Sequence, residues 1–467
     1  MKKEEKIIEE GYSTKKAISY SFASIADVNA YQMFSFLIFT FYFAVVGLSI
    51  QLITVGFIIW SIWNSINDPL LGVISDRTKS KWGRRKPYIV GGIGPLCIIL
   101  ILLWTPPINS SEIVIFIYFM IMIFLFDTFY TMYSLNQTSL FPEMFTNVED
   151  RAKANQFVQI FNIIGLIFAT LLPSFFIPQY DNPKYFHNYA IAAVVMAILT
   201  IFFGAIFIKF GLKERKEYAK DPESAPPFFK ALKSSFKNKA FRYYVIANFG
   251  IWYVFGIIPT IAPLYGSFVL NIKDAFLISL LLAITFIVAA VSMVLWQKIY
   301  VKLGVKNGLR LAFLSLIIAL FPFMIITEII GGLITFIIAG VAFAGVLFGR
   351  DMTMATIVDY DETISGVRRE AGYYGINALV IRLTTIAIFL SISLVFTNVG
   401  WAIFAPEKVT AEVVFGLRLL MFLFPAIAMT MGIVFMSFFP ITKEKYEEIK
   451  LKIEQMHTEK KEKTSTV

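Results

Sequence analysis

Twelve apolar stretches, each about as long as a bilayer is thick, run through this chain. They lie at approximately residues 17–46, 50–74, 87–104, 113–141, 152–176, 189–210, 241–270, 275–299, 311–326, 331–357, 371–396 and 412–439. Roughly twenty apolar residues carry a helix across the hydrocarbon core, and a backbone immersed in lipid must satisfy its own hydrogen bonds, as a helix does. The expected fold class is therefore all-α integral membrane, with twelve transmembrane helices. Composition leaves no soluble reading, because 57% of the 467 residues are hydrophobic and only 16% are charged.

The long polar stretch that follows Gly211 separates six spans from six. It suggests an N-terminal six-helix bundle over 1–210, a central connection over 211–240, a C-terminal six-helix bundle over 241–440 and a tail over 441–467. The connection SDRTKSKWGRRKPY after span 2 has a weaker counterpart, KLGVKNGLR, after span 8, so the two bundles are expected to be pseudosymmetric. Within the centre, Phe228, Phe229, Leu232 and Phe236 would share one face of a short interfacial helix, with a flexible linker as the alternative. In the tail, Tyr446, Ile449, Ile453 and Met456 recur at helical spacing.

Lysine and arginine set the expected orientation. Arg77, Lys79, Lys81, Arg84, Arg85 and Lys86 crowd one connection and nine more basic residues follow between 211 and 242, whereas the alternate connections carry only Lys184, Lys273 and Lys408. Both termini are thus expected in the cytoplasm, in a multi-pass protein of the cell membrane. The formal charge of +10 is spent as punctuation between apolar runs, which argues for a lipid bilayer as partner and against nucleic acid. A lone Cys97 allows no internal disulfide, and His187 and His457 fall in expected loops or tail, so neither a metal centre nor a histidine-based active site is anticipated. MKKEEKIIEE lacks the apolar core of a cleaved leader. A monomer without cofactor is the working expectation.

Charges inside the spans carry the functional signal, since an ionisable group at membrane depth is costly unless paired or lining a cavity. Asp68 lies in the run NDPLLGVISDRTKSKWGRRKPY, and Pro69 after it cannot donate to the carbonyl of Ser65. Carboxylate and freed carbonyl outline a cation site, with Asn64 and Asn67 beside them. Asp27, Asp127 and Asp351 are the other carboxylates within spans, set against Arg350 and Arg382. Fixed helix–helix salt bridges are the alternative reading of these charges. Arg350 and Asp351 are expected to point in different directions, one into the cavity and the other to a neighbouring helix. Asp127, Thr131, Ser134 and Thr138 form one polar stripe, and Asn155, Gln159 and Asn162 another. Each stripe either lines a cavity or bonds neighbouring helices; Asp127 and Gln159, together with Tyr31, Asp27, Ser134, Arg350 and Arg382, are expected to face the substrate. The basic loop, with Asp76, Arg77, Arg84 and Arg85, and the loops bearing Asp150, Arg151, Asp359, Asp361 and Arg368, suggest salt bridges between the two bundles that break when the cytoplasmic side opens.

Four separated motifs carry a family resemblance. NDPLLGVISDRTKSKWGRRKPY, SLFPEMFTNVEDRAKA, TIVDYDETISGVRREAGYYG and FFPITKEKYEEIK, in this order, resemble the glycoside-pentoside-hexuronide:cation symporters. These form the branch of the major facilitator superfamily that includes the melibiose permease. The resemblance implies a major facilitator fold, alternating access and uptake of a sugar driven by sodium or protons. It assigns cation binding to Asn67 and Asp68, a helix I acidic role to Asp27 and the place of a span 11 lysine to Arg382. Four positions depart from the permease pattern. Asn64 replaces a second helix II aspartate, Ser134 a sugar-binding aspartate, Thr138 a stacking tryptophan and Gln159 a sugar-binding arginine. Melibiose itself is therefore not the expected substrate.

The expected function is cation-coupled symport, by sodium or protons, of a small polar solute such as a glycoside, pentoside or hexuronide. Within the same fold the alternative is transport of lysolipid-like amphipathic molecules. A membrane-embedded lipid enzyme would need a nucleophile, base or metal cluster that the spans do not supply, and a non-transporting receptor is the remaining alternative.

Overall fold

A computed structural model describes residues 13–145, 148–214, 236–366 and 370–465. The chain is helical throughout its spans. The first six are α1 (Thr14–Thr40), α2 (Ile50–Arg77), α3 (Lys86–Leu102), α4 (Glu112–Met144), α5 (Val148–Leu171) and α6 (Phe186–Ile206). α7 (Lys239–Phe268) follows, and α8 (Ala275–Leu320) holds two expected spans in one element, bent at Gly304, whose φ of 74° and ψ of 171° are not helical. α9 (Ile329–Ser365) and α10 (Glu370–Asn398) come next. The last span is α11 (Ala411–Met421) and α12 (Leu423–Ser437), parted at Phe422. The tail helix α13 (Lys443–Ser465) lays Ile449, 3% exposed, against the body, with Tyr446, Ile453 and Met456 half-buried on the same stripe. The suggested interfacial helix falls largely outside the described residues.

Apolar side chains face outward as well as inward. Val291, Ile330 and Ile198 are 73%, 66% and 60% exposed, which is the surface of a body solvated by lipid tails. Because lipid is as apolar as leucine, helix association here relies on close packing and small residues. Gly250 on α7 is an instance: a Cβ there would sit 2.6 Å from the carbonyl oxygen of Ala428 on α12.

Among the first six spans, α1 packs on α5 and α6, α2 on α4, and α3 on α4 and α6; among the rest, α9 packs on α8, α10 on α7, and α12 on α7 and α8. Among the described residues, the two groups are joined chiefly by α1 with α7, α2 with α10 and α5 with α8. An even number of crossings brings α1's start and α13's start to one face, called the terminal face below. At the opposite, far face the two groups are bonded together. Ile50 N–H donates to the Ala402 carbonyl at 2.9 Å and Ala275 N–H to Pro178 at 3.0 Å. Ser267 donates to Asp181 at 3.0 Å, and the hydroxyls of Tyr180 and Ser279 lie 2.6 Å apart. Rings fill the remainder: Phe57 of α2 stacks on Phe389 of α10 at 3.6 Å and 6°, and Phe43 meets Phe396, Trp401 and Phe404.

Candidate functional site

Trp60, Asn64 and Asp68 recur every four residues on α2, so they form one stripe along the helix. The stripe faces α4 on one side and α10 on the other. From α10, Arg382 reaches across the boundary between the two groups of spans. Its Nη2 bonds Asp68 Oδ2, and its Nε donates to Asn64 Oδ1 at 2.6 Å. From α4, Thr131 donates its hydroxyl to the other oxygen of Asp68, at 2.9 Å. Asn64 spends its amide on Asp127, Nδ2 to Oδ1 at 2.5 Å, and Asn67 donates to Asp127 Oδ2 at 3.0 Å.

The result is a single polar network through three helices. Asp68 and Arg382 remain partly accessible, with side chains 28% and 20% exposed, while Asp127 is 2% exposed. Asp127 was expected to face substrate. It turns towards α2 instead, because the two asparagine amides supply the donors that a buried carboxylate requires. Asn64 is the hinge of the network, accepting from a guanidinium with its oxygen and donating to a carboxylate with its nitrogen.

Asp27 lies beside Ser134 and Tyr130 of α4, and its buried Oδ1 has no hydrogen-bond partner. Asp27 is thus not the carboxylate paired with Arg382. Tyr31, one turn further along α1, is half-buried, and Asp27, Asp68, Asp127 and Arg382 all act on it electrostatically. Gln159 and Asn155 bond weakly to each other at 3.5 Å and are exposed, as is Thr138. Arg350 and Asp351 do not point apart. They pair at 2.8 Å, with the guanidinium 5.1 Å from the Trp252 ring centre. Asp351 remains 72% exposed, so this pair lies in the open part of the molecule.

On the far-face side of the network lies a cavity between α1, α2, α7 and α10, lined among others by Tyr31, Phe57, Trp60, Thr260, Thr385 and Phe389. Trp60, on the same stripe as Asn64 and Asp68, was missed in the sequence; its four-residue spacing from Asn64 was the available signal. A second cavity is lined by α7, α8 and α9 with apolar side chains and Thr285, whose hydroxyl is engaged with Leu281 and Phe336 carbonyls. It offers nothing to a polar solute.

The terminal-face motif folds onto its own half. Arg84 bonds Glu143 at 2.7 Å, Arg85 bonds the same oxygen at 3.0 Å and Asp76 at 3.1 Å. Bridges between bundles were expected for Asp76, Arg84 and Arg85; in this conformation α3 and α4 are neighbours, and the end of α4 delivers Glu143 directly beneath the loop. Glu143, and Glu214 at the start of the central connection, escaped the sequence reading. Glu214 accepts the backbone N–H groups of Arg84, Arg85 and Lys86, at 2.6 to 3.3 Å, where the orphan donors of α3's first turn favour a carboxylate. Gly83 makes room for it, with φ of 107° and no side chain where a Cβ would come within 2.2 Å of Glu214. Arg77 is exposed, Arg151 donates to the Phe145 carbonyl at 3.1 Å, Asp150 and Asp359 are half-buried and Asp361 is buried. Arg368 lies outside the described residues.

A family model described as MFS/sugar transport protein matches residues 19–443. An uncharacterized symporter of Bacillus subtilis is 23% identical over 94% of this chain and 95% of its own. An isoprimeverose transporter of Lactiplantibacillus pentosus is 23% identical over 75% of this chain and 73% of its own. A shorter match, 36% identical over 119 residues, links the chain to an uncharacterized symporter of Synechocystis and spans 22% of that protein. In three dimensions, a D-xylose-proton symporter superposes with a TM-score of 0.67 at 13% identity, covering 92% of this chain and 98% of the other. That likeness bears on the fold: all-helical, in the major facilitator arrangement.

Proposed function

The chain belongs to the MFS/sugar transport protein family, and from that membership we propose that it moves a sugar or related small polar solute together with a cation. Relatives named as symporters and as an isoprimeverose transporter support this reading. The coupling ion is a proton or sodium, carried as cargo. Both termini, and the terminal face with its basic loop, lie in the cytoplasm of a cell-membrane protein, as the distribution of lysine and arginine favours. With the far face bonded shut and Asp351, Gln159 and Thr138 exposed, the conformation is the inward-facing member of an alternating-access pair. Two six-helix halves rock about the α1–α7, α2–α10 and α5–α8 contacts.

The observation that carries the proposal is the Asp68–Arg382 bond, which ties the two halves at the level of the cavity. An arriving cation competes with Arg382 for Asp68. Thr131, Asn64 and Asn67 bring neutral oxygens and Asp127 a second carboxylate to the same place, a ligand set suited to a hard monovalent ion or, at either carboxylate, to a proton. Occupation of Asp68 releases Arg382 and lets the halves move; the empty carrier keeps its bridge. Coupling is then a competition between two cations for one carboxylate.

Uptake into proteoliposomes under separately imposed sodium and proton gradients tests this reading. The expected result is accumulation of a sugar above its external concentration with one of the two gradients. Equilibration alone under both would remove the coupling role assigned to Asp68.

A further inference from the structure

The cavity on the far-face side of the Asp68–Arg382 bond is walled by rings and hydroxyls. Tyr31, Phe34, Phe57, Trp60 and Phe389 supply aromatic surface, and Ser35, Thr260 and Thr385 supply hydroxyls. Among the described residues lining it, none carries a formal charge. Apolar walls set with a few polar groups are the usual make-up of small-molecule sites. We propose that this cavity takes an uncharged glycoside whose apolar ring face lies on Trp60, and that it rejects the corresponding uronate. The inference rests on the sugar-symport reading above and narrows its substrate class.

Two observations bear on the charge of the solute. The first is the wall itself: an ionised carboxylate moved from water into it would lose its hydration without gaining a cationic partner. The second is the neighbourhood of Tyr31 in that wall, where three carboxylates, Asp27, Asp68 and Asp127, stand with one guanidinium, Arg382. With all four groups ionised the excess is negative, so a cation relieves it and an anionic solute adds to it. Arg382 is already bonded to Asp68 and Asn64. Should the coupling cation release it, its charge only offsets carboxylates that outnumber it. Arg350 is paired with Asp351 and does not line the cavity.

Trp60 is the ring best placed as a platform. It is 4% exposed and meets Phe34 and Phe57 in tilted, edge-type contacts, both at 5.7 Å, with interplanar angles of 62° and 84°. Phe57 and Phe389, by contrast, cover each other in a close parallel stack. The Trp60 indole Nε1 is buried and directed at the Asp127 carboxylate, which fixes the ring's orientation beside the cavity.

The full chain, reconstituted in proteoliposomes, is tested by counterflow with the methyl β-glycosides of glucose, galactose and xylose and with glucuronate and galacturonate. At least one neutral glycoside is expected to exchange, at least about tenfold faster than either uronate at equal concentration. For that glycoside, Trp60→Ala is expected to raise KM about tenfold or more with little change in maximal rate, and Trp60→Phe to raise it less. Exchange of a uronate as fast as any neutral glycoside overturns the inference while leaving sugar symport standing. An unchanged KM in Trp60→Ala overturns the platform, and exchange of neither class overturns both this inference and the reading beneath it. The comparison of neutral and acidic sugars uses the unmodified protein, so it decides the substrate class even where Trp60→Ala fails to fold.

Discussion

Arg382 of α10 holds Asp68 of α2 across the boundary between the first six spans and the last six, and Asn64 shares the same guanidinium. On the proposed mechanism, whatever occupies the Asp68 carboxylate acts on both halves through this contact.

Arg382→Ala should disable cation-driven accumulation and destabilise the protein, because a charge left without its partner in a bundle costs about 3–5 kcal/mol. Neutralising Asp68 in the same chain should recover much of that stability, whereas neutralising Asp27 should not. Melting of the detergent-solubilised variants, arranged as a double-mutant cycle, measures the coupling. Simple additivity of Arg382→Ala and Asp68→Asn would dissolve the pairing.

Asp68→Asn alone should insert normally and abolish accumulation against a gradient, while exchange of substrate down its gradient persists in part. Uptake with and without an uncoupler separates the two. Undiminished accumulation would remove Asp68 from coupling.

Asn64 and Asp127 face each other across α2 and α4 at 2.5 Å. Asn64→Asp should therefore place two carboxylates in contact and lower transport by about tenfold or more, like charges at such range being costly at low dielectric. The exchanged pair, Asn64→Asp with Asp127→Asn, restores the charge count and should regain transport. No recovery in the exchanged pair would mean that the two positions are not interchangeable neighbours.

Glu143 accepts from both Arg84 and Arg85, with all three side chains 10–13% exposed. Glu143→Gln should lower stability by about 1–3 kcal/mol, the range for a charged hydrogen bond lost in a poorly solvated place. Thermal unfolding at low and high ionic strength is the readout, and a variant as stable as the parent would assign the cluster no structural weight.

Phe389→Ala removes one ring of the stack with Phe57 and should favour opening at the far face. Cys97 is the sole cysteine and is buried, so Thr54→Cys, beside Phe389, reports cleanly. Labelling by a membrane-impermeant maleimide should accelerate several-fold when Phe389→Ala is added. Equal rates would deny the stack its closing role.

The spans were legible because a bilayer imposes length and apolarity on every crossing, and Gly304 disturbed only the bookkeeping of two of them. Asp68 was legible for the converse reason, a charge where charge is expensive. What the sequence did not reveal was rotation. Asp127 shares a helical stripe with Ser134, yet its carboxylate turns to the asparagines of α2, and no periodicity in α4 states which neighbour that stripe will meet. Arg382 could have answered Asp27 or Asp68, and only the packing of α2 on α10 decides. Glu143 and Glu214 were hidden because each acts on a loop distant in sequence, and Gly83 matters only through the space it leaves for Glu214.

The stack of Phe57 on Phe389 and the bond of Arg382 to Asp68 join the same two helices, α2 and α10, yet they are made of different stuff. A small ion can replace a guanidinium at a carboxylate, but it gains nothing by parting two hydrocarbon rings. On the proposed mechanism, an ion that dissolves the bridge without a solute therefore leaves the ring contact in place. Slippage, the dissipation of the gradient without cargo, should then be governed by ring contact at the far face more than by affinity at Asp68.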